Sequence, residues 1–184
     1  PVTTNLSNQA SLDLSGLATF TCDVTTGSVL IGRFGDNKTR SGFMNLAASS
    51  TINAATLTVG ESASGSLVYL RMGSGATIFN VDTLNIGTGG RDSGSLTFAG
   101  GTGTLQLRNR AGSGRAAVNM QTGGGTTTGY NTTNVLDLSG HSADLLVSNL
   151  IVGGQGRSGW AVNTITFSTG TFDVTTIRLG ERSN

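Results

Sequence analysis

Short runs in which apolar and polar residues alternate recur along the whole chain. The clearest reads apolar, any residue, apolar, Gly: "LTVG" at 57–60, "LNIG" at 84–87, "LIVG" at 150–153 and "IRLG" at 177–180. "VLIG" at 29–32 fits, and "VNMQ" at 118–121 fits with Gln for Gly. Their fourth positions are 28, 27, 34, 32 and 27 residues apart. Alternation with period two places every second side chain on one face, so each run predicts a short strand with one face buried. We name these the A segments. Each interval holds two more alternating runs. B segments begin at Leu12, Met44, Val68, Leu96, Leu136 and Ile165, and C segments at Cys22, Ile52, Phe79, Leu105, Leu145 and Phe172.

A unit of about this size with three strands cannot bury its own apolar edge and does so by stacking on its neighbours. The pattern therefore predicts an all-β fold, a β-solenoid (β-helix) of about six coils with three short strands per coil. At about 4.8 Å per coil the rod is roughly 29 Å long. Residues 1–184 are expected to form a single module, uncapped at the C-terminus. Five residues follow Leu179 and eleven precede Leu12, together about the length of one A-to-B loop. Head-to-tail stacking through open ends is the resulting expectation, with Leu12 and Leu14 at one end and Ile177 and Leu179 at the other.

The repeat changes the meaning of "IVGGQGRSG" at 151–159, where Gly154, Gly156 and Gly159 spell a dinucleotide-loop fingerprint. Such a loop needs a helix starting within it to meet the pyrophosphate. The stretch after Gly159, "WAVNTITFSTG", alternates as a strand. The glycines are expected to serve the A-to-B turn instead, and no nucleotide or other cofactor is expected.

Composition narrows the classes further. Glycine supplies 29 residues and proline one, which favours tight turns and strands over helices. Eleven basic and ten acidic residues leave a net charge of +1, no general pull toward nucleic acid or an anionic membrane. No apolar run approaches the roughly 20 residues of a membrane helix. Cys22 stands alone, so no intrachain disulfide forms, and it reads as a small buried apolar residue.

Chemistry on a solenoid must appear as outward columns running from coil to coil. The expected columns are Asp23, Asn53, Asn80, Gln106, Leu146, Asp173 on face C and Asp13, Asn45, Tyr69, Thr97, Asp137, Thr166 on face B. Face A gives Leu30, Thr58, Asn85, Asn119, Ile151, Arg178. No column sets two acids in adjacent coils, as a polysaccharide lyase or hydrolase requires for calcium or for acid–base work. His141, the one histidine, has Asp144 nearby but no nucleophile and reads as a solvated turn residue. Hence no enzyme, catalytic residue or metal site is expected. Asn53, Asn80 and Gln106 suggest a short amide ladder. Leu146 and Ile151 point outward, as an apolar patch or as a sign of slipped register.

The A-to-B loops vary most. They carry Arg91, Arg157, Tyr130 and Trp160, the candidate contacts for a ligand or partner. Tyr130 and Trp160 lie in consecutive loops, either as a platform for a glycan or as cover for the turn edge.

The runs "TINAATLTVG", "VDTLNIGTGGRDSGSLTF" and "STGTFDVTTIRLG" resemble the Gly/Ser/Thr-rich β-solenoid repeats of large bacterial surface proteins, including autotransporter-type passenger regions. The resemblance covers nearly the whole chain. It implies an exported protein, extracellular or at the cell surface, with a structural or adhesive role. Partners are then copies of itself, neighbouring repeats or a glycan. The resemblance carries no site residues, because the repeats have none.

Overall fold

Alternating apolar residues punctuated by glycine give strands and turns and no helix among the described residues. The computed structural model describes residues 9–34, 41–62, 67–88, 93–120, 132–153 and 161–180. Their strands are β1 (Gln9–Asp13), β2 (Thr19–Phe34), β3 (Ser41–Asn45), β4 (Ser49–Ser62), β5 (Leu67–Met72) and β6 (Ala76–Ile86). Then come β7 (Ser93–Phe98), β8 (Thr104–Arg108), β9 (Ala116–Met120), β10 (Thr132–Val152) and β11 (Ala161–Leu179). The long strands run round corners. β2, β4 and β6 each supply a C and an A segment, and β10 and β11 supply all three.

All pairings among them are parallel, each strand lying on its equivalent one repeat away. This is a β-solenoid. Six strands stack on each face. Six stacked strands span five steps from the first rank to the last, so the described coils make about five turns, slightly fewer than the six expected. Five spacings of about 4.8 Å put the first and last ranks about 24 Å apart.

The alternating apolar residues meet inside in ranks. On face A the inner column runs Val29, Leu57, Leu84, Val118, Leu150, Ile177, as the spacing predicts. The glycines closing the A segments, Gly32, Gly60, Gly87, Gly153 and Gly180, all have positive φ. Gly87 shows why the position rejects a side chain: its φ is +63°, and a Cβ would collide with the Asn134 amide.

Two segments sit two residues away from the expected register. Leu70, not Val68, stacks between Met44 and Leu96. Leu107, not Leu105, stacks between Phe79 and Leu145. A slip of two keeps every side chain on the same side of the sheet, so alternation alone does not distinguish the registers. Local geometry decides. Val68 lies level with Gly42 and Gly94 and fills space beside Gly32, which has no side chain to oppose it. At the other site Asn109 closes the corner loop. Its backbone N–H donates to Gly114 O at 2.9 Å, and its Oδ1 accepts from Gly114 N at 2.9 Å. Leu146 and Ile151 do face outward, with their strand in register with Asp173 and Arg178 of the next.

Candidate functional site

The repeat "LDLSG" occurs at 12–16 and 136–140, and its aspartate makes the same turn bond in both copies. Asp13 Oδ1 accepts from Ser15 N, and Asp137 Oδ1 from Ser139 N, each at 3.0 Å. These bonds to Ser15 and Ser139 hold both carboxyls below the usual aspartate range. Three further aspartates are also engaged. Asp82 accepts from Arg110 N at 3.1 Å, Asp144 pairs with Arg108, and Asp173 pairs with Arg115 at 2.6 Å. Bonding to Arg115 lowers the Asp173 pKa. Five of the six described aspartates therefore complete turns or ion pairs, which leaves Asp23 in the first rank.

His141 is not the solvated turn residue expected. Its ring stacks on Phe98 with centroids 3.8 Å apart, and its Nδ1 lies 3.0 Å from Gly103 O, so it is packed into the B-to-C corner. Cys22 is partly buried against the core.

The amide ladder is real in its first step. Asn80 Nδ2 donates to Asn53 Oδ1 at 2.9 Å. Gln106 does not continue it, because the register shift sets Arg108 next to Asn80 and Gln106 next to Ile78 and Asp144. Face A carries a longer ladder: Asn119 Nδ2 donates to Asn85 Oδ1 at 3.0 Å, and Asn85 Nδ2 to Thr58 Oγ1 at 3.3 Å. A third amide is buried. Asn134 accepts from Gly94 N at 2.9 Å and donates to Asn163 Oδ1 at 2.9 Å, linking three ranks.

Sequence reasoning missed the loop that follows β8. The stretch "RNRAGSGR" at 108–115 holds three of the ten arginines, and that density is its only signal in the sequence. Arg110 reaches toward the first rank: its Nη1 donates to Thr25 O at 2.7 Å, and its Nε lies 3.5 Å from Asp82. Arg115 reaches the other way, donating to Val147 O at 3.3 Å and to Asp173 O at 2.8 Å. One corner loop thus touches ranks one, three, five and six from its own place in rank four.

The candidate assembly residues occupy the two ends. Leu12 is 50% exposed, Ile177 58% and Leu179 70%. Leu14 differs, being half-buried against the core. The outer edges of β1 and β2, and that of β11, face no other described strand. By contrast the equivalent residues Leu84 and Ile86 are fully buried. The candidate ligand contacts Arg91, Tyr130, Arg157 and Trp160 lie outside the described residues, as do Gly154, Gly156 and Gly159.

The register correction also rebuilds face B. Arg71, not Tyr69, follows Asn45 in its column, and Tyr69 stacks beside Phe43. Their ring centroids are 4.2 Å apart at 31°.

These features define a parallel β-solenoid whose end ranks face no other described strand, with an outer surface of amide ladders and aspartate–arginine pairs. Comparisons with family models, curated proteins and solved structures gave no match, so the class rests on the geometry.

Proposed function

We propose that this chain is a structural module of a fibre or surface stalk, in which the end ranks receive further rungs of the same register. The rung is the first rank of a second copy. One observation carries the reading: Ile177 and Leu179 of the last rank, and Leu12 and Val24 of the first, are exposed at positions that middle ranks bury. Both ends offer strands of one spacing and parity, and a contact between unlike ends does not close on itself. Burying such edges removes apolar area from water and pairs open backbone groups. The engagement of five aspartates in turns and ion pairs supports a non-catalytic role. The repeat style resembles autotransporter passenger regions, which supports an exported, extracellular setting with no bound cofactor.

Sedimentation across a concentration series, with electron microscopy of the same samples, tests this. We expect rods whose length rises with concentration, and loss of the long species in Leu179→Asp. A single monomeric species at all concentrations would sink the self-stacking reading.

A further inference from the structure

Most outward columns hold Ser, Thr, Asn or Asp, side chains that suit water. Ranks two and three of face B break this rule. Phe43 and Tyr69 sit side by side in one outward column, and Leu67 lies two residues before Tyr69 on the same face, 53% exposed. Neither Phe43 nor Tyr69 packs against the hydrophobic core. Two half-buried aromatic rings and an exposed leucine therefore share the outer side of face B.

A cation stands in the same patch. The Arg71 guanidinium carbon lies 4.5 Å over the Tyr69 ring, which fixes its position. Arg71 is exposed, and no described carboxylate pairs with it. The corner arginines behave differently, since Arg108, Arg110 and Arg115 each hold an aspartate. Small polar residues border the patch: Ser11 beside Phe43, Ser95 beside Tyr69, and Asn45 and Thr97 on either side of Arg71. Asn45 Oδ1 is buried and has no hydrogen-bond partner among the described residues.

We propose that this patch binds a carboxylated polysaccharide lying along face B. The aromatic pair and Leu67 take up the apolar C–H surface of the sugar. The serine, threonine and asparagine side chains meet its hydroxyls. Arg71 supplies the fork that fits one carboxylate through two parallel N–H bonds. The charge argument selects the occupant: a neutral glycan leaves a guanidinium that no described carboxylate pairs unanswered, and an acidic polymer answers it.

Affinity electrophoresis in native gels containing alginate tests the proposal on the whole chain, with dextran gels as the neutral reference. Alginate should retard the protein and dextran should not. Arg71→Gln should weaken apparent binding about tenfold, the loss of one charge-assisted hydrogen-bonding group. Tyr69→Ala should weaken it as well. Arg178→Gln, which removes an arginine from face A, should leave retardation unchanged. These side chains lie outside the core, so circular dichroism and the urea midpoint should change little. Retardation by alginate that Arg71→Gln leaves intact, or that Arg178→Gln lowers equally, would overturn the proposal by showing a diffuse charge effect. Absence of retardation by alginate would overturn it directly. So would a large loss of stability in Tyr69→Ala with unchanged binding, which would make the aromatic pair a purely structural ladder.

Discussion

Leu84 and Ile177 occupy the same inner column of face A, yet Leu84 is fully buried and Ile177 is 58% exposed. Ile86 and Leu179 repeat the contrast at 0% and 70%. The segments "LNIG" and "IRLG" are alike, so the difference does not come from local sequence. It comes from whether a rank lies on each side. Burial in this fold is made by neighbours, which is why a solenoid's stability is close to a sum over adjacent coils. The same substitution should then have very different effects in the middle and at an end.

The largest expected effect is in the middle. Phe79 is the largest fully buried side chain among the described residues, stacked between Ile52 and Leu107. Phe79→Ala should cost about 3–5 kcal/mol in urea unfolding, through lost transfer energy and the cavity left behind. Leu179→Ala should change unfolding of the single chain by less than about 0.5 kcal/mol, as for an exposed site, while lowering the concentration-dependent assembly. Similar losses of stability at the two positions would break the comparison.

A middle effect of intermediate size is expected at Asn134. It is buried, and replacing it with Ala strands the buried Gly94 N–H and removes the bond to Asn163. A loss of about 1–3 kcal/mol is the usual consequence of a buried group left without its partner. Asn119→Ala, in the half-buried ladder of face A, should cost clearly less in the same measurement.

How far the sequence spoke differs between the faces. The A segments were readable because a glycine of positive φ follows five of them and fixes where each strand stops. The B and C segments lack that mark. In "SLVYLRM" and "TLQLRN" two apolar frames of equal parity compete, and the choice depends on Gly32 and Gly42 in another coil, or on the Asn109–Gly114 loop. The consequence reached the surface. Reading Val68 and Leu105 as the column members hid Arg71 beside Asn45 and Arg108 beside Asn80. The corner arginines were hidden for another reason: their partners Thr25, Asp82 and Asp173 are 85, 28 and 58 residues away. Alternation carries no information about such corner contacts.

That corner sharpens the comparison, because it is where the neighbour rule fails. Arg110 ties rank four to Asp82 and to Thr25 in the first rank, and Arg115 ties it to Asp173 in the last. Hydrogen exchange should show these ranks opening together in the wild type. Arg110→Ala should release β2 to exchange independently, and Arg115→Ala should do so for β11. Unchanged exchange in both strands would mean that the loop only decorates the corner.

The smallest expected effect is the acid response of that loop. The carboxyl of its β11 partner Asp173 titrates below its ordinary value, 3.8, because Arg115 bonds to the ionised form. A folded pKa below the unfolded one gives stability that is present above the unfolded pKa and lost as pH falls through the folded one. The loss should therefore begin below about pH 4. Asp173→Asn should remove that part of the acid dependence, and the effect should stay small because the pair is open to solvent and screened. Asp13 and Asp137 titrate low as well, through their bonds to Ser15 and Ser139, so the mutant should retain their share of the acid dependence. Exchange of β11 followed between pH 5 and pH 3, after correction for the intrinsic rate, separates the contributions. A wild-type strand that loosens below pH 4 more steeply than Asp173→Asn places that difference in acid sensitivity of the last rank in the Arg115 contact. Parallel curves would assign it to the two turn aspartates.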